Sequence, residues 1–241
     1  MTRICPTSAM VLAAGTGVRM RPITNNIPKP LIRVFGKALI DHGLDTLANM
    51  NVSKAVVNIH HFPEQMEAHL KARRLPEVFV SDERERLMDS GGGIAKALPE
   101  LGTKPFYLLN ADSFWLEGTN PNLELLGKSW RDEDMDILLL LSSLSNSVGY
   151  NGKGDFNMDS EGRLVRRSER QIAPFAYCGA AILHPRIFEG VPAGAFSLNL
   201  LFDRAIEEKR LFGTRMGGLW LHVGTPEAIN EAETAIAKSA A

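Results

Sequence analysis

Arg19 and Lys29 are the residues whose types and surroundings first point to chemistry, because both follow a loop suited to phosphate. The loop, Leu12-Ala13-Ala14-Gly15-Thr16-Gly17, leaves a short uncharged run from Met10 to Ala13 that reads as a strand buried on both faces. Glycines at 15 and 17 would let backbone N–H groups approach a phosphate with no Cβ in the way. Arg21 adds a third cation, and Lys29 sits between Pro28 and Pro30, whose rings restrict the backbone around it. Together these features describe a polyphosphate site; apart, they would be a strand, a turn and surface cations. Two familiar phosphate motifs do not fit. A dinucleotide fingerprint would need glycine where Met20 stands, and no Gly-Lys-Ser/Thr tripeptide ends a P-loop here.

The run Leu12-Ala13-Ala14-Gly15-x-Gly17-x-Arg19-Met20-x-Pro22-x-Thr24, followed by Pro28-Lys29-Pro30-Leu31, resembles the signature of sugar-1-phosphate nucleotidylyltransferases. The resemblance implies that the loop from Leu12 to Gly17 holds a nucleoside triphosphate, that Arg19 stabilises the leaving pyrophosphate, and that Lys29 neutralises the α-phosphate under attack. Asp112 closes the strand-like run Leu108-Leu109-Asn110-Ala111-Asp112 and by itself would be a cap or turn residue. The resemblance makes it a ligand of Mg²⁺, although the family usually has Gly-Asp where this chain has Ala111-Asp112.

Asp89-Ser90-Gly91-Gly92-Gly93-Ile94 reads either as a flexible turn before a helix or as a platform for a flat base, and the resemblance places Ser90, Gly91 and Gly92 at the nucleobase. Trp220-Leu221-His222-Val223-Gly224-Thr225-Pro226 departs from the family, which carries a second metal-binding aspartate where His222 stands. Strand alternation puts Trp220 and His222 on one face. His222 is therefore expected to face Asp112 as a metal ligand, with activity falling below about pH 6.5 as the imidazole protonates; the alternative is an ordinary hydrogen-bonded strand histidine.

Gly152-Lys153-Gly154-Asp155-Phe156, Tyr177-Cys178-Gly179, and Leu183-His184-Pro185 with Gly194-Ala195-Phe196 are each weak signals. With the run from Gly91 to Pro99 they resemble the branch that uridylylates N-acetylmuramate 1-phosphate in bacterial cell-wall sugar salvage, across essentially the whole chain. That implies UTP and this sugar 1-phosphate as substrates, with Asn110, Gly154, Asp155 and Gly179 around the sugar phosphate. Another pair, such as mannose 1-phosphate and GTP, is the alternative within the family. A nucleotide-binding regulatory module without catalysis, prompted by His222, is the alternative outside it.

The elements that must position these residues follow from hydropathy. Strands are expected at Met10–Ala13, Lys54–His60, Glu77–Ser81, Pro105–Asn110 and Met135–Leu141, alternating with helices at Leu39–Met50, Glu64–Ala72, Gly91–Leu98 and Pro121–Trp130. This alternation argues an α/β fold, a mostly parallel Rossmann-like sheet flanked by helices, GT-A-like by the resemblance. In such sheets ligands bind beyond the carboxyl ends of the strands, so the glycine loop and Asp112 would share an edge. The second half reads as strands at Asp155–Met158 and Phe175–Leu183, a helix at Asn199–Lys209, a closing strand pair at Leu211–Met216 and Leu219–Val223, and a terminal helix at Glu227–Lys238 started by Pro226. It is expected as a smaller, mixed acceptor-binding region packed on the first half, within one domain spanning 1–241 and dividing near residue 145.

Composition bounds the rest. The chain has 241 residues, is 44% apolar and carries a net charge of −1, which supplies a core and no basic field for nucleic acid. Two cysteines make no disulfide framework or metal spacing and fit a reducing compartment. Pro6, Thr7 and Ser8 interrupt the stretch from Met1 to Ala14, which is therefore not read as a signal peptide. The longest apolar run elsewhere, Ile137 to Leu141, is too short to span a bilayer. A cytoplasmic monomer or small homo-oligomer is expected.

Overall fold

The computed structural model describes residues 4–239; the first three residues of the stretch weighed as a leader lie outside them. The first half runs β1 (Ser8–Leu12), a short hairpin of β2 (Arg33–Val34) and β3 (Lys37–Ala38), α1 (Leu39–Asn49), β4 (Lys54–Ile59), α2 (Pro63–Lys71), β5 (Glu77–Asp82), α3 (Asp89–Leu101), β6 (Phe106–Asn110), β7 (Ser113–Leu116), α4 (Asn122–Ser129) and β8 (Ile137–Ser143). The second half runs β9 (Ser147–Val148), β10 (Phe156–Met158), β11 (Leu164–Arg166), β12 (Phe175–Leu183), α5 (Asn199–Glu207), β13 (Leu211–Arg215), β14 (Leu219–His222) and α6 (Pro226–Ser239).

The main sheet is built on β5, β4, β1 and β6, paired side by side and parallel. Buried residues alternate to its two faces, as a two-sided strand requires. Ala9, Val11, Tyr107 and Leu109 pack in the layer that holds Ile40 and Leu44 of α1, Met66 of α2 and Leu123 of α4. Met10, Phe106 and Leu108 face the opposite way, toward Ile94 and Leu101 of α3 and Leu201 and Phe202 of α5. A third cluster joins Met20, Leu39, Phe114, Leu221, Val223 and Ala232. It fastens the segment after the glycine loop to β7, β14 and α6, and so fixes where Arg19 and His222 stand.

Three features differ from expectation. First, β12 lies inside the main sheet, antiparallel between β6 and β8, so the second half supplies a strand to the first half's sheet. Second, the strands at Leu211 and Leu219 do not pair with each other. β13 pairs with β8 in the main sheet, while β14 pairs with β7 and β9 in a three-stranded sheet. The chain changes sheets at Gly217-Gly218, where Gly218 has φ +87 and a Cβ would come 2.0 Å from the Leu116 carbonyl oxygen. Third, α3 begins at Asp89 and continues through Pro99 to Leu101. Cys5 is exposed and Cys178 buried, both free. Among the described residues, no helix is long and apolar enough to cross a membrane.

Asp136, 4% exposed, closes the far end of the sheet. One of its carboxylate oxygens meets Arg186 Nε at 2.5 Å and Arg210 Nε at 3.0 Å, joining β8 to the residues after β12 and before β13. Asp136→Ala would leave both guanidinium groups without their shared partner. The expected loss of folding stability is about 3 kcal/mol, at the lower end for a broken buried pair because both arginines are partly solvated. Urea unfolding of the two proteins checks it.

Candidate active site

Leu12, Asn58 and Asn110 lie in one row across three parallel strands, as the register of β1 with β4 and β6 shows. Beyond this row opens a cavity of about 280 Å³. One wall is Leu12, Ala13, Ala14 and Gly15; another is Leu87, Asp89 and Ser90; Lys29, Asn110 and Asp112 also line it. The sequence places the glycine loop and Asp112 at one edge, and the structure brings them there. Pro30, Asn58, Leu87, Asp89 and Ala111 also line the cavity and were not assigned to a site from the sequence.

Lys29 begins a 3₁₀ turn, Lys29–Leu31, with Leu31 N–H donating to the Pro28 carbonyl at 2.9 Å. Its ammonium donates to Asp112 Oδ2 at 2.7 Å; the two side chains are 11% and 28% exposed. Burial alone would raise the Asp112 pKa, but the charges of Lys29, His222 and Arg19 and the Lys29 hydrogen bond hold it below the ordinary carboxylate value. The glycines divide the labour. A Cβ at Gly15 would meet nothing within 4 Å, which leaves its backbone open to a ligand. Gly17, at φ +63, packs instead against Thr24 and the Lys29 Cβ, and Thr24 Oγ1 donates to its carbonyl at 2.9 Å. Gly17 thus ties the loop to the lysine.

Gly91 and Gly92 do not line the cavity. Their N–H groups donate to the Phe196 carbonyl at 2.9 and 3.1 Å, and Cβ atoms there would strike the Phe196 ring and the Gly194 carbonyl oxygen at 2.4 Å. These glycines let α3 sit against residues 194–196, so the platform reading of their amides gives way to packing. Ser90 does line the cavity, and its Oγ accepts Leu198 N–H at 2.9 Å. Asp89 holds φ 58, which a non-glycine residue rarely adopts.

The expected sugar-phosphate residues gather along β12. A Cβ at Gly179 would come 3.0 Å from the Asn110 side chain. Gly154 lies against the Ala173 carbonyl, and Asp155 Oδ2 accepts Tyr177 N–H at 2.9 Å. The Tyr177 hydroxyl is buried with no hydrogen-bond partner among the described residues, and burial, with the charges of Cys178 and Asp112, pushes its pKa up. The signal in the sequence was its place beside Gly179. Neither Thr16 nor Arg19 lines the cavity. Arg19 is exposed, and a Cβ at Gly224 would lie 3.7 Å from its Nη1 and 2.8 Å from His222 Nε2.

His222 pairs with Ser113 across β14 and β7, one residue from Asp112, and its ring lies 5.4 Å from that of Trp220. Burial, with Lys29 and Arg19, lowers its pKa against the opposing pull of Asp112 and Asp155. Its protonation therefore belongs below the ordinary histidine range, and an acid limit near pH 6.5 is not expected from it. Among the described residues, no three His, Cys, Asp or Glu side chains are grouped to hold a metal. Protein ligation would thus rest on Asp112, with His222 beside it.

The nucleotidyl transferase family model matches residues 8–142. The N-acetylmuramate alpha-1-phosphate uridylyltransferase of Caulobacter vibrioides is 42% identical, covering 97% of this chain and 98% of the relative. The enzyme of that name from Neisseria meningitidis serogroup B is 32% identical, covering 93% and 96%. A solved UDP-glucose pyrophosphorylase, complexed with UDP-glucose, superposes with a TM-score of 0.74 at 19% identity, over 96% of this chain and 98% of that one.

In the ligand-free protein, Lys29→Met would remove the foremost charge that offsets the burial of Asp112, leaving His222 and Arg19. The pKa of Asp112 is expected to rise, and that of His222 to rise with it, because Lys29 depresses both. Carbon-13 titration of the carboxyl and proton titration of the imidazole measure the two shifts. An unmoved Asp112 would mean that the ion pair does not govern this site.

Proposed function

The chain belongs to the nucleotidyl transferase family, and from that membership we propose that it transfers UMP from UTP to N-acetylmuramate α-1-phosphate, giving UDP-N-acetylmuramate and pyrophosphate. The observation that carries the reaction type is the Lys29–Asp112 pair, 2.7 Å apart in the cavity lining, beside the open backbone at Gly15. The choice of base and sugar is supported by two relatives of that activity that match nearly the full length of the chain. A cytoplasmic setting agrees with two unpaired cysteines.

An oxygen of the sugar phosphate attacks the α-phosphorus of UTP. The new P–O bond forms as the bond to the β-phosphate oxygen breaks, and its electrons leave with pyrophosphate. No covalent enzyme intermediate is needed, so positioning and charge neutralisation carry the rate. The Leu12–Gly15 wall takes the phosphates, and Asp89, Ser90 and the apolar Leu87 flank the nucleoside. Lys29 neutralises the α-phosphate as it gains its fifth oxygen, and Arg19 meets the departing pyrophosphate. Asn110, at the cavity's edge, would meet the acceptor sugar together with Gly154, Asp155 and Gly179, which pack along β12.

The donor set fits Mg²⁺ carried in by the nucleotide. Mg²⁺ is commonly held by one or two carboxylates with substrate phosphates and retained waters, and Asp112 supplies one carboxylate. When bound, the ion would screen phosphate charge at the reacting centre. His222 stands where a second carboxylate is implied by the family resemblance, and imidazole adds no negative charge.

Pyrophosphate release across a panel of triphosphates and sugar 1-phosphates tests the assignment. UTP with N-acetylmuramate 1-phosphate should react fastest. A preference for GTP with mannose 1-phosphate would move the chain to another branch, and tight nucleotide binding without release would make it a non-catalytic module. Lys29→Ala should lower kcat by about 10²–10³ with a smaller effect on UTP binding, as expected for loss of one transition-state charge. Near-full turnover would remove Lys29 from the mechanism. His222→Asp should reduce the Mg²⁺ concentration needed for half-maximal rate. Unchanged metal dependence would place position 222 away from the ion.

A further inference from the structure

Glu83 follows β5 and is 1% exposed, yet its carboxylate is held by neutral donors. Asn58 Nδ2 donates to Oε1 at 2.8 Å, and Met88 N–H donates to Oε2 at 3.0 Å. Asn58, 3% exposed, in turn accepts Ala13 N–H on Oδ1 at 2.7 Å. The chain of bonds therefore runs from Ala13, in the phosphate wall, through Asn58 and Glu83 to Met88, between Leu87 and Asp89 of the opposite wall. The backbone of Glu83 is pinned as well. Its N–H donates to the Ile59 carbonyl at 2.8 Å, and its carbonyl is 2.8 Å from His60 Nδ1.

The donors and acceptors allow one arrangement. An amide offers one acceptor and one donor group, whereas a carboxylate only accepts. Ala13 N–H needs Oδ1 of Asn58, which turns Nδ2 toward Glu83. Glu83 then has to accept twice, from Nδ2 and from Met88 N–H. Space is reserved for this junction by the third glycine of the triplet. A Cβ at Gly93 would come 2.7 Å from Glu83 Oε1 and 2.9 Å from Asn58 Nδ2.

We propose that Glu83 is a positioning residue for the nucleotide cavity: acting through Asn58, it locks the Leu12–Gly15 wall to the Leu87–Ser90 wall. It touches no substrate. The inference rests on the cavity being the nucleotide site. With the brace broken, the walls move independently, and the nucleotide has to order them on binding. The signature is therefore weaker UTP binding, with less effect on turnover once UTP is saturating and little on the acceptor.

The hydrogen-bond logic supplies a test that separates positioning from general stability. Glu83→Gln leaves one donor facing another, and Asn58→Asp sets two carboxylates against each other. The double substitution Asn58→Asp/Glu83→Gln restores every bond at the same net charge, because the new carboxylate accepts Ala13 N–H and the new amide, whose oxygen accepts Met88 N–H. Each single variant should raise the KM and calorimetric Kd for UTP about ten-fold or more, matching the loss of one buried polar pairing. The KM for the sugar phosphate should stay near its original value. The double variant should bind UTP at least about three-fold more tightly than either single variant, since coupled neighbours are non-additive; the carboxylate now at cavity-lining position 58 keeps it weaker than the parent. If a single variant does not fold, Glu83→Asp replaces it; the shorter carboxylate reaches one wall only, and UTP affinity should fall. Singles that lower Tm while leaving UTP affinity unchanged, or a double variant as impaired as the singles combined, overturn the proposal. A parent that binds UTP without releasing pyrophosphate overturns the catalytic reading and leaves the brace measurable by Kd. A parent that binds no nucleotide overturns both.

Discussion

A buried ammonium and a carboxylate 83 positions apart in sequence meet at 2.7 Å, and the candidate site is arranged around that meeting. Lys29 is 9% exposed. A lysine so far out of water is tolerated only beside an opposite charge. The requirement constrains the scaffold. The 3₁₀ turn carrying Lys29 and the end of β6 must arrive at the same edge, which the pairing of β1 with β6 ensures. The backbone around Asp112 is secured from several sides. Ala111 N–H donates to the Leu12 carbonyl at 3.0 Å, and Val223 N–H donates to the Asp112 carbonyl at 3.1 Å. A nucleotide phosphate entering the cavity would compete with Asp112 for the ammonium. The pair holds each charge with the other: Asp112 partners the ammonium, and Lys29 is foremost among the charges that keep the Asp112 pKa down.

Much of this was legible in the sequence. The alternation of strand and helix over the first 140 residues gave the parallel core, because period-2 and period-3.6 hydrophobic patterns reflect which faces are buried. The Gly15 loop and Asp112 could be put at one edge because ligands in such sheets gather beyond the strand ends. Strand neighbours were not legible. The apolar run of β12 identifies a buried strand, but nothing local to it says that it enters antiparallel between β6 and β8. The same blindness paired β13 with β14, because proximity in sequence is only a tendency toward proximity in space.

Glycine produced the subtler misreading. Gly15 is open to a ligand, Gly17 packs on Thr24 and Lys29, and Gly91, Gly92 and Gly93 make room for Phe196, Gly194 and the Glu83–Asn58 junction. In sequence, a glycine that admits a phosphate and a glycine that admits a neighbouring backbone are identical, since the signal in both is a missing Cβ. Histidine 222 shows the reverse case. Its identity was conspicuous, but its charge state depends on burial and on Lys29, Arg19 and two aspartates that no local pattern reveals.

The place of β12 has a consequence for how the chain acquires its structure. β6 and β8, encoded within the first 143 residues, are separated in the sheet by a strand that ends at Leu183. During synthesis, both would emerge with bare, apolar edges and wait for a partner that begins only at Phe175. Such long-range closure is slow and leaves edges exposed to mispairing with other chains. The first half of the chain is therefore not a kinetic unit that matures before the second. The strand that closes the sheet beside β6 also carries Gly179 against the Asn110 side chain at the cavity's edge, so the sheet and that contact become ordered in the same event.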